Sequence, residues 1–433
     1  MSSKLLSSAW RGEAVYFVIF NVTNVLNYVY LVFVGFFLGS DSYGLFGALF
    51  GTVYLASALG NMVKMAVARH IATAQAQNGG VIIQQVVTSG LAWSAALAAV
   101  VGLILVATVP LIAEAFHSPT TPVVWSCLAI AFSIWVPAAY GVLQGMERFP
   151  SLGGALFVAA VVRIVAGGAL VAAGAGVSGA MAGVIFGYAA SAVFALSICY
   201  SHVRDTNGQP WISVPAPRLG ALATVLIASI VVAAPTSLDV AVVRHVFSGE
   251  EAGVFTGIAV LGRAIVFATI AISITVLPKV AARTASGSDT GRLLFDSLAI
   301  TGVLAVAASA AIVFAVDVLG WQIVGTDVSS ATAALHWYLA AMVLFSLTAT
   351  VIYYQVGKGD GAFIVFVGAP AVILQGTLVA LIPDSLTGVG QLMFALNAAV
   401  LVGGVVFATA RLLSTTPSVR RRVAVTIPSY PPR

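Results

Sequence analysis

Arg163 and Arg263 each fall near the centre of an apolar run long enough to cross a bilayer. A guanidinium at the centre of a lipid-spanning helix costs about 2.5 to 3.5 kcal/mol on insertion scales, so neither is expected to face lipid. Each should meet a buried partner or line a polar cavity. Guanidinium groups give charge-assisted, forked hydrogen bonds that suit oxyanions better than a lysine ammonium does. The competing reading is a structural arginine held by helix carbonyls or by a buried carboxylate. Asp239 is the carboxylate set deepest in an apolar run, and Arg244 follows five residues later, a spacing not ideal for a helical ion pair. Asp239 reads either as half of a fixed salt bridge or as a group that exchanges partners between Arg244, Arg263 and a substrate, or takes up a proton or sodium ion. Asn21, Asn24, Asn27 and Tyr28 share an arc of about 120° at about 100° per residue. Their amides can serve a hydroxyl-bearing ligand or join neighbouring helices. Lys64 and Arg69 sit where an apolar run ends, marking a membrane boundary or drawing anions to it.

The elements that must position these residues are transmembrane helices. Of 433 residues, 60% are hydrophobic and only 8% charged, against about a quarter charged in ordinary soluble domains. The apolar runs suit helical spans of about 20 residues and lack the alternation of a membrane barrel. Twelve spans are expected, over residues 14–38, 44–66, 82–109, 123–145, 151–173, 178–202, 219–243, 252–277, 292–316, 331–355, 361–382 and 388–411. Lys4 and Arg11 precede the first span without a small-residue cleavage site after it, so that span is expected to remain as an anchor. Basic residues gather in alternate loops, among them Arg148, Lys279, Arg283, Arg292, Lys358 and Arg411, while Asp41, Glu114, Glu250 and Glu251 occupy the others. By the positive-inside bias both termini are cytoplasmic, and the chain is a multi-pass protein of the cell (inner) membrane. Its composition, rich in Ala, Val and Gly and poor in Lys, suggests a GC-rich bacterium. The same asymmetry accounts for a pI near 9.3 without nucleic acid, since the basic loops meet anionic lipid. Cys127 and Cys199 have no metal-ligand spacing, and neither a metal nor another cofactor is expected.

The chain is doubled. Tyr43-Gly44-Leu45-Phe46 is answered by Ala252-Gly253-Val254-Phe255 at an offset of 209 residues, and Gln144 by Gln355 at an offset of 211. An even number of spans in each half makes the repeats parallel, related by an axis along the membrane normal. The expected organisation is an N-terminal lobe at 1–203, a cytoplasmic linker at 204–218, a C-terminal lobe at 219–413 and a cytoplasmic tail at 414–433. Glycines four apart, at 179, 183 and 187 and at 253 and 257, permit close helix packing, within a lobe or in a dimer.

Three segments, FFLGSDSYGLFGALF at 36–50, GVLQGMERF at 141–149 and the stretch 238–283 with its Asp, Ala-Gly-hydrophobic-Phe and Pro-Lys elements, carry a family likeness. The chain resembles the multidrug/oligosaccharidyl-lipid/polysaccharide (MOP) exporter superfamily, and within it the polysaccharide repeat-unit flippases. The resemblance implies an all-α polytopic protein with two parallel six-helix lobes around a central cavity that opens alternately inward and outward. It implies a polyprenyl-diphosphate-linked oligosaccharide as substrate, moved from the cytoplasmic to the outer leaflet. On that view Arg263 and Arg163 clamp the diphosphate, with Arg244 contributing. Asn21, Asn24 and Asn27 meet sugar hydroxyls, Lys64 and Arg69 attract the head group to the inner vestibule, and Asp239 couples or gates. Glycosyltransferases and a polymerase of the same pathway are the implied partners. Coupling is to H+, to Na+ or to the membrane potential.

Two other members of the superfamily are alternatives. A cation-coupled multidrug exporter commonly has a functional carboxylate in its first span, where this chain has three asparagines and no acid. Lipid II flippases usually have fourteen spans. A membrane glycosyltransferase or polymerase is the rival from another class, yet such enzymes display sizeable extramembrane loops with acidic or histidine catalytic groups. Here the outer loops are short, and no paired carboxylates, Ser/His/Asp set, metal-ligand set or Gly-rich phosphate loop is present. The sequence therefore points to a carrier and not to an enzyme.

Overall fold

The computed structural model describes residues 3–76, 80–203, 233–286, 288–319, 331–358, 361–363 and 383–414, with isolated positions at 226–231, 367–373 and 381. The expected linker at 204–218, the tail beyond Ser414, most of the span at 361–382 and the start of the span at 219–243 lie outside the described residues. Among the described residues all regular structure is helical. The helices are α1 (Ser3–Phe37), α2 (Ser40–Ala76), α3 (Gly80–Ala107), α4 (Val109–Ala115), α5 (Thr120–Gly145), α6 (Phe149–Val162), α7 (Gly168–Leu170) and α8 (Gly176–Val203) in the first half of the chain. The second half has α9 (Leu238–Val246), α10 (Gly249–Ala285), α11 (Gly291–Leu319), α12 (Thr332–Lys358), α13 (Gly361–Phe363) and α14 (Leu386–Ser414).

Nine stretches among the described residues are long and apolar enough to cross a membrane, or ten if a bent pair is taken as one more. One of the nine, Phe149–Tyr200, has 52 residues. At about 1.5 Å per residue it would be about 78 Å long, more than twice the hydrocarbon thickness of a bilayer. It folds back on itself instead. Wide π turns at Arg163–Gly167 and Val171–Ala175 flank α7. The chain then reverses at Gly174 (φ 86°) and Gly176 (φ 55°), left-handed conformations that glycine adopts without a Cβ clash. Gly183 consequently lies directly against the Gly167 backbone, and the carbonyl of Ala159 sits 2.6 Å from where a Cβ on Gly187 would be. The small residues of α8 thus join two antiparallel arms, which correspond to the expected spans at 151–173 and 178–202.

The bent pair is the other break. Pro235 lies in a 3-10 turn, Ala234–Thr236, and has no N–H to continue a helix. After Ser237 the chain resumes as α9 at an angle of 41° to the preceding residues 229–236. Ser248 and Glu251 then form a capping box that starts α10. The Ser248 N–H donates to Glu251 Oε2 at 3.1 Å, and the Glu251 N–H donates to Ser248 Oγ at 3.3 Å.

In the first half α2 packs on α5 and α3, α5 packs on α8, and α1 packs on α6. In the second half α12 lies between α10 and α14, and α11 covers α10 and α12. The halves meet where α2 packs against α9 and α10. The two copies of the repeated segment face each other there. A Cβ on Gly44 would lie 2.7 Å from the backbone nitrogen of Gly253, and one on Gly253 would overlap the Ser40 carbonyl. Thr256 in turn leaves only glycine room at Gly47, 2.5 Å from that residue's ideal Cβ. Gly253 therefore packs across the halves, while Gly183 and Gly187 pack within one.

Candidate functional site

The break before α9 sets the first cluster. Asp239 falls in the first turn of α9 and is 1% exposed. Side chains on helices lean toward their own N-terminus, which lets Arg263, lower on α10, reach back to the level of Asp239. Arg263 Nη2 donates to Asp239 Oδ1 at 3.1 Å. The other carboxylate oxygen accepts a hydrogen bond of 2.5 Å from the Tyr338 hydroxyl of α12. Three helices are thus tied through one buried carboxylate. Two donors remain without partners: Arg263 Nε and the buried Ser237 hydroxyl, two residues before Asp239. Sequence reasoning missed Tyr338. A tyrosine in the second turn of an apolar helix is ordinary, and only the burial of its hydroxyl, which then needs a partner, sets it apart.

Arg163 forms the second cluster, on the first π turn. Its Nη1 donates to Asn27 Oδ1 of α1 at 3.1 Å, so two of the candidate residues meet. The guanidinium carbon lies 6.0 Å from the Phe50 ring centroid and 5.7 Å from that of Tyr188, within cation–π range. As in Arg263, the buried Nε has no partner. An arginine satisfied as a purely structural group would have its donors occupied, since a buried unpaired donor is costly.

Phe50 and Tyr54 are one turn apart on α2. Phe50 lies beside Arg163, and Tyr54, one helical turn further on, is within electrostatic reach of both Arg263 and the Tyr188 phenol. Tyr353 of α12 is in turn within reach of Tyr54. Phe50 and Tyr188, which sequence reasoning did not single out, thus flank Arg163, and Tyr54 on the same helix as Phe50 is 42% exposed. Phenols and amides beside guanidinium groups offer aromatic faces, hydroxyls and cationic donors to one ligand.

Arg244 lies elsewhere. Of the partners open to Asp239 it meets Arg263 and not Arg244, because five residues of helix turn the Asp239 and Arg244 side chains to different faces. Arg244 Nη1 instead donates to Asp41 Oδ1 at 2.6 Å and to the Asp41 carbonyl at 3.2 Å, across the halves. Its Nε donates to the Phe116 carbonyl at 2.9 Å, and Nη2 to that of His117 at 3.4 Å. His117 has a left-handed backbone (φ 49°) in the turn that ends α4, and this turn presents the two carbonyls. The neighbouring His245 ring shares a hydrogen bond of 2.8 Å with the Ala115 carbonyl. Asn21 donates to the Phe17 carbonyl of its own helix at 2.8 Å, and Asn24 is half-buried one turn on. Lys64 is half-buried and Arg69 exposed toward the far end of α2, away from both arginine clusters. Among the described residues no group of three or more His, Cys, Asp or Glu side chains is placed to hold a metal.

Residues 9–282 match the model of a family described as polysaccharide biosynthesis protein. A comparison with curated protein sequences gave no match. Among solved structures, the fold is similar to an inward-facing multidrug resistance MATE family transporter of the MOP superfamily, with a TM-score of 0.72 at 13% identity over 91% of this chain and 96% of that one. It is also similar to the lipid II flippase MurJ in an inward closed conformation, with a TM-score of 0.67 at 13% identity over 91% of this chain and 87% of that one. An outward-facing MATE family transporter superposes with a TM-score of 0.66 at 16% identity, covering 94% and 97% of the two chains. At these identities the structures share a fold, and the fold is that of the MOP superfamily transporters.

Proposed function

The chain belongs to the polysaccharide biosynthesis protein family, and from that premise we propose that it flips a polyprenyl-diphosphate-linked oligosaccharide from the cytoplasmic to the outer leaflet by alternating access. In this reading twelve spans form two six-helix lobes, residues 1–203 and 219–413, joined by the cytoplasmic linker at 204–218, with both termini and the 414–433 tail in the cytoplasm of a bacterial cell. The halves are held together at the Asp41–Arg244 end, which the positive-inside bias assigns to the outside. The conformation is then closed outward and ready to load from the cytoplasm.

One observation carries the substrate class: two buried arginines from different halves, Arg163 and Arg263, each have a buried Nε without a partner. Arg263 and Arg163 hold the diphosphate, whose charge and oxygen count match forked donors. Asn27, with Asn24 and Asn21 on the same helix, serves the sugar, and the polyprenyl tail stays in lipid. Lys64 and Arg69 draw the anionic head into the vestibule, and Asp239 couples the cycle. Arg244 acts in outer closure and not in substrate contact. Lipid exchange with glycosyltransferases and a polymerase of the same pathway follows from the substrate. Carriage needs no covalent chemistry, and energy comes from H+, from Na+ or from the membrane potential.

The test is translocation of a fluorescent polyprenyl-diphosphate oligosaccharide in liposomes containing the purified protein. Arg263→Ala and Arg163→Ala are each expected to slow flipping at least tenfold, the cost of about 1.4 kcal/mol or more of lost binding. Unchanged flipping in both variants would remove the clamp. Transport of cationic drugs without any lipid-linked sugar would favour the multidrug exporter, and preference for lipid II the peptidoglycan carrier.

A further inference from the structure

We infer that Asn27 sets the anion specificity of this carrier: as a neutral partner it holds the Arg163 guanidinium in place without cancelling its charge, and it turns its own amide donors toward the ligand. The inference rests on the reading of Arg163 as a diphosphate-binding group and adds the residue that keeps it one. Three arginines are buried among the described residues, 163, 244 and 263, and two of them are compensated. Arg263 meets Asp239 at 3.1 Å, and Arg244 meets Asp41 at 2.6 Å. Arg163 meets no carboxylate among the described residues. Its one hydrogen bond runs from Nη1 to Asn27 Oδ1 at 3.1 Å, while the buried Nε has no partner.

The surroundings fix that charge in position and do not neutralise it. A π turn, a feature concentrated at functional sites, begins at Arg163. The Arg163 Cβ lies 3.2 Å from where a Cβ on Gly187 would be, so the stem of the side chain packs against α8 at a glycine. The Phe50 and Tyr188 rings beside the guanidinium carbon attract the cation through their quadrupoles and leave its net charge intact. An arginine can only donate, so the Asn27 atom that faces it must be the oxygen, and the orientation of the amide follows. The Nδ2 hydrogens of this half-buried side chain make no hydrogen bond among the described residues and are left to a ligand. Arg163 and Asn27 together therefore present donors alone, with one uncompensated positive charge. Such a pair selects an anion with several acceptor oxygens. An aspartate in place of Asn27 would reach the same guanidinium and keep its own charge, because an opposite charge within about 4 to 6 Å favours the ionised form. Arg163 would then be as compensated as Arg263, with a negative charge set where the diphosphate arrives.

Equilibrium binding to the purified full chain tests this with two probes, geranylgeranyl-diphosphate-linked N-acetylglucosamine and the uncharged geranylgeranyl N-acetylglucosaminide, alongside the thermal unfolding temperature. The wild type should prefer the diphosphate probe. Asn27→Asp is expected to weaken diphosphate binding at least about fiftyfold, since it sets like charges against each other, and to leave the uncharged probe within about threefold. Asn27→Ala loses one hydrogen bond but leaves the charge, and should weaken diphosphate binding no more than about tenfold. Unfolding temperatures should run the other way, with Asn27→Asp above Asn27→Ala, because an ion pair ties α1 to the π turn more firmly than an amide does. If Asn27 merely joined the helices, binding would follow stability. Diphosphate binding in Asn27→Asp as tight as in Asn27→Ala, or tighter, therefore overturns the inference while leaving the substrate reading intact. If Asn27→Asp does not fold, Phe50→Glu brings a carboxylate to the same guanidinium, with Phe50→Gln as its neutral control, and equal diphosphate affinity in those two overturns the inference in the same way. A wild type that binds the diphosphate probe no better than the uncharged one refutes the substrate reading itself.

Discussion

Removing the Tyr338 hydroxyl leaves Asp239 Oδ2 buried without a donor, and removing Asp239 leaves Arg263 buried without a counter-charge. The second loss is the larger. An unmet hydrogen bond costs about 1–3 kcal/mol, whereas breaking a buried ion pair by deleting one member costs about 3–5 kcal/mol. Tyr338→Phe is therefore expected to lower the thermal unfolding temperature in detergent by less than Asp239→Ala does. Replacing both charges together, Asp239→Leu with Arg263→Met, should recover most of the stability lost in Asp239→Ala, because neither charge then remains to be desolvated. Flipping should stay lost in that double variant. A double variant no more stable than Asp239→Ala would show that the two side chains do not act as a unit. The members of this cluster were unequally legible in the sequence. A charge inside an apolar run announces itself, which is how Arg163, Arg263 and Asp239 stood out. Tyr338 did not, since a tyrosine in a membrane helix is common and only its buried hydroxyl distinguishes it. Asn27 and Arg163 were both visible, yet their contact joins helices 136 residues apart and no local spacing encodes it. The same holds for Arg244, which prefers Asp41, 203 residues away, over the acid five positions before it on its own helix.

Helices of the two halves approach through glycine at the repeated segment, and the repeat was the most legible element in the sequence. Its offset shows that the segments correspond. Their meeting is a matter of where the axis relating the halves passes, and a sequence offset has no information about that. The close approach of Gly44 and Gly253 leaves no room for a side chain. In Gly253→Val the added atoms must displace the Ser40 backbone, so α2 and α10 separate at that end. Thr256, 2% exposed one turn further on, should become accessible. A Thr256→Cys variant is expected to react slowly with a water-soluble maleimide, and at least several times faster once Gly253→Val is added. An unchanged rate would mean that the interface accommodates the side chain by local shifts alone. Breaks were legible at Pro235, where a missing N–H forces a bend, and at the reversal after α7, which falls between the expected spans at 151–173 and 178–202, although the residues that make that turn were not singled out. There Gly174 and Gly176 look like the many other glycines of the chain, and only their positive φ values set them apart. Gly174→Ala should cost roughly 1–2 kcal/mol, the penalty of a left-handed backbone with a Cβ, and should be read as a lower unfolding temperature. No loss of stability would mean that the turn relaxes to another conformation.

At the scale of the whole molecule, the Asp41–Arg244 bridge joins the two halves, and the proposed alternating access requires it to break. Its partners are unequally buried, with the Arg244 side chain 4% and the Asp41 side chain 68% exposed. Water and salt therefore reach the acid but not the base. An ion pair with one exposed member contributes at most about 1 kcal/mol, and Arg244 keeps its bonds to the Phe116 and His117 carbonyls when Asp41 is neutralised. A contribution of that size biases an equilibrium without fixing it, as the proposed alternating access requires of this end. Asp41→Asn should shift the population toward the state open at this end by about fivefold, the factor that corresponds to about 1 kcal/mol. Spin labels at the exposed positions Glu114 and Glu250, one in each half at this end, would read the shift as a growing long-distance component. Raising ionic strength from 0.01 M to 1 M should produce part of the same shift in the wild type and little in Asp41→Asn, since the Debye length falls from about 30 Å to about 3 Å over that range. Exchanging the charges, Asp41→Arg with Arg244→Asp, should not restore closure fully, because an aspartate at 244 repels the two carbonyls that the arginine now satisfies. Full restoration by the exchange would mean that the ion pair alone holds the halves together, and identical distance distributions in wild type and Asp41→Asn would mean that it holds nothing.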